Sequence, residues 1–325
     1  MRILVVTNMY PTASRPYFGI FVERQVDALR RAGVDVEVEV VAAERGEADY
    51  FLGRGRVATA VRRLRPTLLH CHYGYTPLAA AFTGAPYVLT LCGDDINGQS
   101  DGRGGLTPKS RAGVLVSQVM AAGARRVIVK SEDMRRRLWS RARRKSDLLP
   151  NGVDTTLFAT GSQAEARARL GIPAGGLVLG FVNSIRQPTK RLDIARAVQA
   201  ELGRRGVAAQ LLVAESVPAA EMPWHYRAAD CLLMTSDREG APNCVKESLA
   251  CGTPVVGVPV GDLPELIRTP EMGRVTSRDV GALADAVLSL GSHGDRRESL
   301  LPPEYTDDAV AGRLVEIYRR ALGAH

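Results

Sequence analysis

The sequence holds no run of about 18 uninterrupted apolar residues, so it offers no segment that would span a bilayer. Its start, Met1-Arg2-Ile3-Leu4-Val5-Val6-Thr7-Asn8, is too short for the apolar region of a signal peptide and lacks a small-residue cleavage site. It reads as a first strand, and a cytoplasmic protein is expected. Cysteine is sparse: Cys71, Cys92, Cys231, Cys244 and Cys251 make an odd number with no Cys-x-x-Cys. Buried free thiols fit this better than a disulfide framework or a thiolate metal site. Neither Asp-x-Asp nor His-Glu-x-x-His occurs, which weakens the case for a metal-dependent transferase or a zinc hydrolase. No Gly-x-Gly-x-x-Gly follows the first apolar run, which disfavours a dinucleotide oxidoreductase. Thirty-two Gly and 18 Pro are too few for a low-complexity or collagen-like chain.

What is present is ordinary in amount and informative in order. The 325 residues are 45% hydrophobic and 24% charged. At ~150 residues per domain that length suggests two domains. Short β-branched or apolar runs at Arg2–Thr7, Val34–Ala42, Leu68–His72, Tyr87–Leu91 and Arg126–Lys130 read as strands. Between them lie helical stretches such as Gly19–Ala32, with Ile20, Val22, Val26 and Leu29 at helical spacing. After turn chemistry at Leu148–Asp154 the pattern restarts. Strands are expected at Leu177–Val182, Ala209–Ala214, Cys231–Thr235, Pro254–Val258 and Arg274–Val275, with helices at Leu192–Arg205 and Ala309–Leu322. Strands separated by helices imply parallel sheets wound on both faces. The expected architecture is two doubly wound, Rossmann-like α/β units joined near residue 155. Ligands of such sheets bind at the carboxyl ends of strands, and two facing units would enclose a cleft.

Charge is uneven. Residues 1–150 hold 24 Lys/Arg against 14 Asp/Glu, net +10, while residues 151–325 hold 19 against 21, net −2. Seven cations (Arg135, Arg136, Arg137, Arg141, Arg143, Arg144 and Lys145) fall within eleven positions. They form either a solvated helix face or a patch for an anionic membrane surface. Only Trp139 is aromatic among them, so they offer no stacking platform for bases and no nucleic-acid partner is expected.

The densest constellation runs from Ser236 to Val256. A strand ends near Ser236, a Gly-containing loop follows, and a helix begins around Pro242 and stops at Gly252. A helix N-terminus exposes free backbone N–H groups and a positive dipole end, which suits phosphate. Glu239 lies in the loop before it and Glu247 about one turn inside it. Alone, either carboxylate would read as a dipole-stabilising acid.

As a string, this segment resembles the E-x7-E motif of retaining nucleotide-sugar glycosyltransferases of family 4, with Glu239 and Glu247 as its two acids. Ala250-Cys251-Gly252-Thr253-Pro254-Val255-Val256 and Val260-Gly261-Asp262-Leu263-Pro264-Glu265 match as well. Further likenesses are Pro11–Arg31 with Gly19, Leu69-His70-Cys71-His72, Thr90-Leu91-Cys92-Gly93-Asp94-Asp95, and Pro150-Asn151-Gly152-Val153-Asp154 with Phe158. The nearest look is to cell-surface polysaccharide enzymes of the teichuronic acid type. The resemblance implies a GT-B fold, retention of anomeric configuration, and neither metal nor cofactor. It implies a nucleotide-diphospho-sugar donor (UDP before GDP) and a polysaccharide, glycolipid or lipid-linked acceptor. Residues 1–155 would form the acceptor-side unit, with 309–325 packing back on it, and 156–308 the donor unit.

By the same resemblance Glu239, Arg186, Lys190 and Asp94 are the catalytic candidates. Gly19, His72, Cys92, Asn151, Arg191, Ser216, Val217, Gly240, Ala241, Pro242, Asn243 and Glu247 are the substrate-binding candidates. Without a metal, cations must stabilise the departing diphosphate, and Arg186, Lys190 and Arg191 follow the first strand of the second unit. Glu247 would take the ribose hydroxyls, and the base would rest near Ala214–Val217. Three departures stand out. Cys92 occupies a position where many relatives carry His. The Arg186–Lys190 spacing is four where five is usual. The strand-and-helix module before the base-binding loop is nearly absent between Val213 and Pro223. Two other readings compete: a nucleotide-sugar epimerase on the same fold, and a non-catalytic sugar-nucleotide-binding paralogue, which Cys92 favours. The Gly98–Gly105 loop would serve as an acceptor-side lid or have no role.

Overall fold

The computed structural model describes residues 1–13, 15, 18–41, 48–98, 105–182, 188–291 and 298–323. It divides the chain into two compact units, Met1–Gly152 with Asp307–His325, and Val153–Thr306. The sequence pattern set these boundaries two or three residues later, at 155/156 and 308/309. Val153 belongs to the second unit because its N–H donates to the Tyr305 carbonyl at 2.9 Å.

The first unit is built on six parallel strands: β1 (Arg2–Thr7), β2 (Asp35–Val40), β3 (Leu68–His72), β4 (Tyr87–Thr90), β5 (Arg126–Val129) and β6 (Ser146–Leu148). Their order across the sheet is β2-β1-β3-β4-β5-β6. Side chains alternate across a strand, so each face gets its own core. Leu4, Val6, Leu69 and Cys71 enter one core; Ile3, Val5 and Leu68 enter the other. The helices Ile20–Arg31 and Asp307–Leu322 close the second face with Val22, Val26, Leu29, Val310, Leu314 and Tyr318. A chain of hydrogen bonds fixes that last helix. Tyr318 Oη lies 2.6 Å from His70 Nδ1, and His70 Nε2 lies 2.7 Å from Thr90 Oγ1. Burial holds His70 uncharged, with its pKa down at about 3. β6 is absent from the sequence reading. Its three residues, Ser-Asp-Leu, have no β signature. The strand is secured instead by Asp147, which accepts from Arg126 at 2.8 Å and from Arg320 of the terminal helix at 2.9 Å.

The second unit carries five parallel strands: β7 (Leu177–Val182), β8 (Ala209–Ala214), β9 (Cys231–Met234), β10 (Val255–Gly257) and β11 (Gly273–Val275). Their order is β11-β10-β9-β7-β8. Leu192–Arg204 and Val280–Leu288 cover one face over Leu179, Phe181, Leu233 and Val256. Met222–Ala228 and Asn243–Ala250 cover the other over Leu232, Met234 and Val255. The buried Arg167, paired with the partly exposed Asp230 at 2.8 Å, staples the Gln163–Arg169 helix to this sheet. Asp230 also accepts the Val178 N–H at 2.7 Å, so the same carboxylate ties the helix to β7. None of the described helices is long and apolar enough to cross a membrane.

Candidate active site

The second unit gathers its chemistry at the carboxyl ends of β7 and β9. Past Val182 the described chain resumes in a 3₁₀ turn, Pro188–Lys190, followed by Arg191 in a left-handed conformation (φ 58°). The Thr235 hydroxyl, just beyond β9, holds this turn by reaching the carbonyls of Lys190 and Arg191 at 3.0 Å each. The Asp237 N–H donates to the Thr189 carbonyl at 2.7 Å. These bonds bring Lys190 against Glu239, with Nζ 2.6 Å from Oε1 and both side chains mostly buried. Two residues 49 positions apart thus form one charged unit. An ammonium has three donors, so Lys190 can keep Glu239 and still reach a phosphate oxygen.

Arg191 points elsewhere. It pairs with Asp193 at 2.8 Å and Asp237 at 3.2 Å, and these partners push its pKa further up. Arg278 adds a second cation against Asp237 at 3.4 Å. Arg186 lies outside the described residues.

The Asn243–Ala250 helix follows the Glu239 loop, with Pro242 as its extended N-cap rather than its first helical residue. Gly240, Ala241 and Asn243 therefore stand at a helix N-terminus, partly exposed. Glu247 sits on the next turn, where the buried Tyr226 hydroxyl donates to its Oε2 at 2.8 Å. Burial and the Glu247 charge push the Tyr226 pKa well up, so the phenol keeps its proton and stays a donor. Ser216 (φ 55°) is exposed just beyond β8, and Val217 packs partly buried on the same core as Val245. The structure thus brings Lys190, Glu239 and the helix N-terminus together, with Glu247 one turn on. Among the described residues no three His, Cys, Asp or Glu side chains converge as a metal site.

The first-unit candidates lie at the carboxyl ends of β1, β3 and β4. Gly19 caps the Ile20–Arg31 helix at φ 79°, and a Cβ there would come within 2.2 Å of the Met9 carbonyl carbon. Only glycine fits that approach. His72 is buried, neither ring nitrogen has a hydrogen-bond partner among the described residues, and burial beside His70 and Lys130 keeps it neutral. Asn151 is partly exposed at the end of the first unit.

Asp94 is exposed, whereas its neighbour Asp95 is buried and accepts the N–H groups of Gly74 at 2.9 Å, Cys92 at 3.0 Å and Gly93 at 2.8 Å. Asp95 therefore organises this loop. Cys92 is a protonated thiol, its pKa driven up by burial and by Asp95, so it supplies no charge where an imidazole would. The lid candidate at Gly98–Gly105 lies mostly outside the described residues. Of the seven clustered cations, Arg135 and Arg137 pair with Glu132 and Asp133, at 3.1 and 3.0 Å. Lys145 reaches back to the carbonyls of Ala122 and Ala124. Arg136, Arg141, Arg143 and Arg144 remain exposed beside the half-exposed Trp139.

Comparison with known proteins bears on the family and the fold. Residues 19–157 match the family model Glycosyltransferase Family 4, and residues 189–293 match Glycosyl transferases group 1. The Bacillus subtilis protein TuaC, named for teichuronic acid biosynthesis, is 24% identical over 95% of this chain and 92% of its own length. A D-inositol 3-phosphate glycosyltransferase of Mycobacterium leprae is 31% identical over 62% of this chain, a match spanning 55% of that protein. Sucrose-phosphate synthase from Thermosynechococcus elongatus superposes with a TM-score of 0.77 over 100% of both chains, at 18% identity. Anabaena HepE, in complex with UDP and glucose, does so at 0.72 over 98% of this chain and 99% of that one, at 15% identity. The chain belongs to the family 4 (group 1) glycosyltransferases and has their GT-B fold.

Proposed function

We propose that the chain is a retaining, metal-independent transferase that moves a sugar from a nucleotide-diphospho-sugar to a cell-surface polysaccharide, glycolipid or lipid-linked acceptor. Transfer breaks the bond from the anomeric carbon to the diphosphate, forms one to an acceptor oxygen, and releases the acceptor proton and a nucleoside diphosphate. Negative charge grows on the departing phosphate. The observation that carries the reading is the Lys190–Glu239 pair at 2.6 Å beside the N-terminus of the Asn243–Ala250 helix. Lys190, Arg186 and the backbone N–H groups of Gly240, Ala241 and Asn243 would take the phosphate charge. Glu239 would meet the sugar and Glu247 the ribose hydroxyls, with the base near Ser216 and Val217. The UDP in the HepE structure and the ADP in a starch synthase structure, two neighbours of this fold, support a nucleoside diphosphate site. UDP is placed before GDP. In the first unit Gly19, Asn151, Asp94 and Cys92 would line the approach of the transferred sugar and acceptor.

A thermal-shift panel of UDP-, GDP- and ADP-sugars tests the donor. A binding donor raises apparent stability as RT ln(1 + [L]/Kd). One nucleotide series should shift the melt in EDTA; no shift with any of them overturns the reading. Cys92 favours a second reading, a protein that binds donor without turning it over. Binding without release of nucleoside diphosphate would establish that one. The exposed Arg136, Arg141, Arg143 and Arg144 support peripheral attachment to the inner face of the cell membrane. Each cation at an anionic leaflet contributes about 1 kcal/mol.

A further inference from the structure

The Pro108–Gly123 helix of the first unit turns its larger apolar side chains outward. Its fully buried positions are Gly113, Ser117, Gln118 and Ala121, all small or polar. Ala112, Leu115 and Val119 are exposed, Leu115 by 54% and Val119 by 47%, with Val116 and Ala122 half-buried beside them. Positions three and four apart share a helix face, so these residues form one apolar stripe. Close approach accounts for the inner face. A Cβ on Gly113 would collide with Tyr75 Oη, and one on Gly74 with the Ser117 side chain. Nothing in the packing asks for leucine and valine on the outer face. A contiguous apolar surface bordered by charge marks a place where something docks.

The border here is positive. Gln118 Nε2 donates to the Arg137 carbonyl at 2.8 Å, and Gln118 Oε1 accepts the Trp139 N–H at 3.0 Å. Lys145 Nζ donates to the Ala122 carbonyl at 2.8 Å. These bonds lay the segment that carries Arg136, Trp139, Arg141, Arg143 and Arg144 along the helix. Arg111, one turn before Leu115, is exposed on the stripe's own face. Residues 108–145 hold nine Arg and three Lys against only Glu132 and Asp133, and those two acids pair with Arg135 and Arg137. That charge selects the occupant. A second copy docked about a two-fold axis would set cations on cations. An anionic leaflet offers lipid phosphates to the arginines and hydrocarbon to the stripe, and tryptophan favours the boundary between them.

We propose that the outer face of the Pro108–Gly123 helix, together with Trp139, inserts into the acyl boundary of an anionic membrane. The inference rests on the reading of the neighbouring cations as a membrane patch and adds an inserted element to it. The arginines bring the chain to the leaflet and the stripe deepens its hold. A single weak signal gives only marginal attachment, so high salt still releases the protein.

The test is binding of the full chain to vesicles of phosphatidylcholine and phosphatidylglycerol at low salt. Leu115→Gln with Val119→Gln changes two exposed positions to a good helix former, so the fold is kept. Partitioning should fall by roughly 10-fold or more, because the apolar surface is lost and the charge is not. Trp224→Phe leaves Trp139 the only tryptophan. In that background, acyl chains brominated near the headgroup should quench its fluorescence, and the Gln pair should relieve the quenching. Unchanged partitioning in the Gln pair, or no quenching, overturns insertion; salt-sensitive binding that persists then leaves the charge patch standing without it. Absence of vesicle binding at any salt overturns both readings. A wild-type dimer in sedimentation velocity that the Gln pair converts to monomer assigns the stripe to a second copy and overturns the proposal.

Discussion

Removing the Tyr226 hydroxyl separates holding Glu247 from binding by Glu247. In Tyr226→Phe the buried ring stays and only the 2.8 Å donor to Oε2 goes. A hydrogen bond to a charged group is worth about 1.5–3 kcal/mol. That sets the upper limit of the stability loss, because phenylalanine leaves no buried donor stranded. The effect on binding is smaller. A released Glu247 must be immobilised again on the ribose, at about 0.5–1.5 kcal/mol. Nucleoside diphosphate affinity should therefore fall about 2- to 12-fold. Glu247→Ala removes the charge-assisted contacts themselves, about 1.5–3 kcal/mol, or about 10- to 150-fold. Calorimetric titration of both variants with UDP, GDP and ADP reads the two numbers side by side. Unchanged affinity in Glu247→Ala refutes the ribose role. A loss in Tyr226→Phe as large as in Glu247→Ala refutes the buttress.

Other expectations follow from single contacts. Gly261→Ala places a Cβ against the Gly240 carbonyl at φ 58° and should cut turnover at least 10-fold, whereas full activity would show that the loop yields freely. Asp95 has a carboxyl raised by burial to about 6 from 3.8, against the pull of three amides. The folded chain then holds that proton more tightly than the unfolded one, so ionisation costs stability above about 6 and the cost fades toward 4. Urea unfolding should show Asp95→Asn gaining on the wild type by about 2–3 kcal/mol between pH 4 and 7.5, at 1.36 kcal/mol per pH unit; a pH-independent difference contradicts this. Vesicles with anionic lipid should sediment the protein at low salt and not at high salt. Replacing Arg136, Arg141, Arg143 and Arg144 by Gln should abolish that, and sedimentation that survives the change makes the cluster a plain solvated face.

The sheets were legible because strand periodicity is a local property. Arg2–Thr7, Leu68–His72, Leu177–Val182 and Ala209–Ala214 run as the apolar pattern indicates. β6 was not, since ion pairs to Arg126 and Arg320 hold Ser146–Leu148 in place rather than any intrinsic propensity. Glu239, Lys190 and Glu247 were legible from a motif, but the ion pair between the first two joins segments that only the fold brings together. The loop-holding role of Asp95 was not legible either. Two adjacent acids look alike in sequence, and burial alone tells them apart.

Nucleoside diphosphate release from UDP-, GDP- and ADP-sugars, measured in EDTA for the wild type and for Lys190→Ala, tests the central claim most directly. The account predicts release from one nucleotide series without divalent metal. It also predicts a fall of roughly 10² or more in turnover when Lys190 is lost, as for other groups that stabilise charge in the transition state. Release that depends on added divalent metal, or that proceeds unchanged in Lys190→Ala, would contradict it.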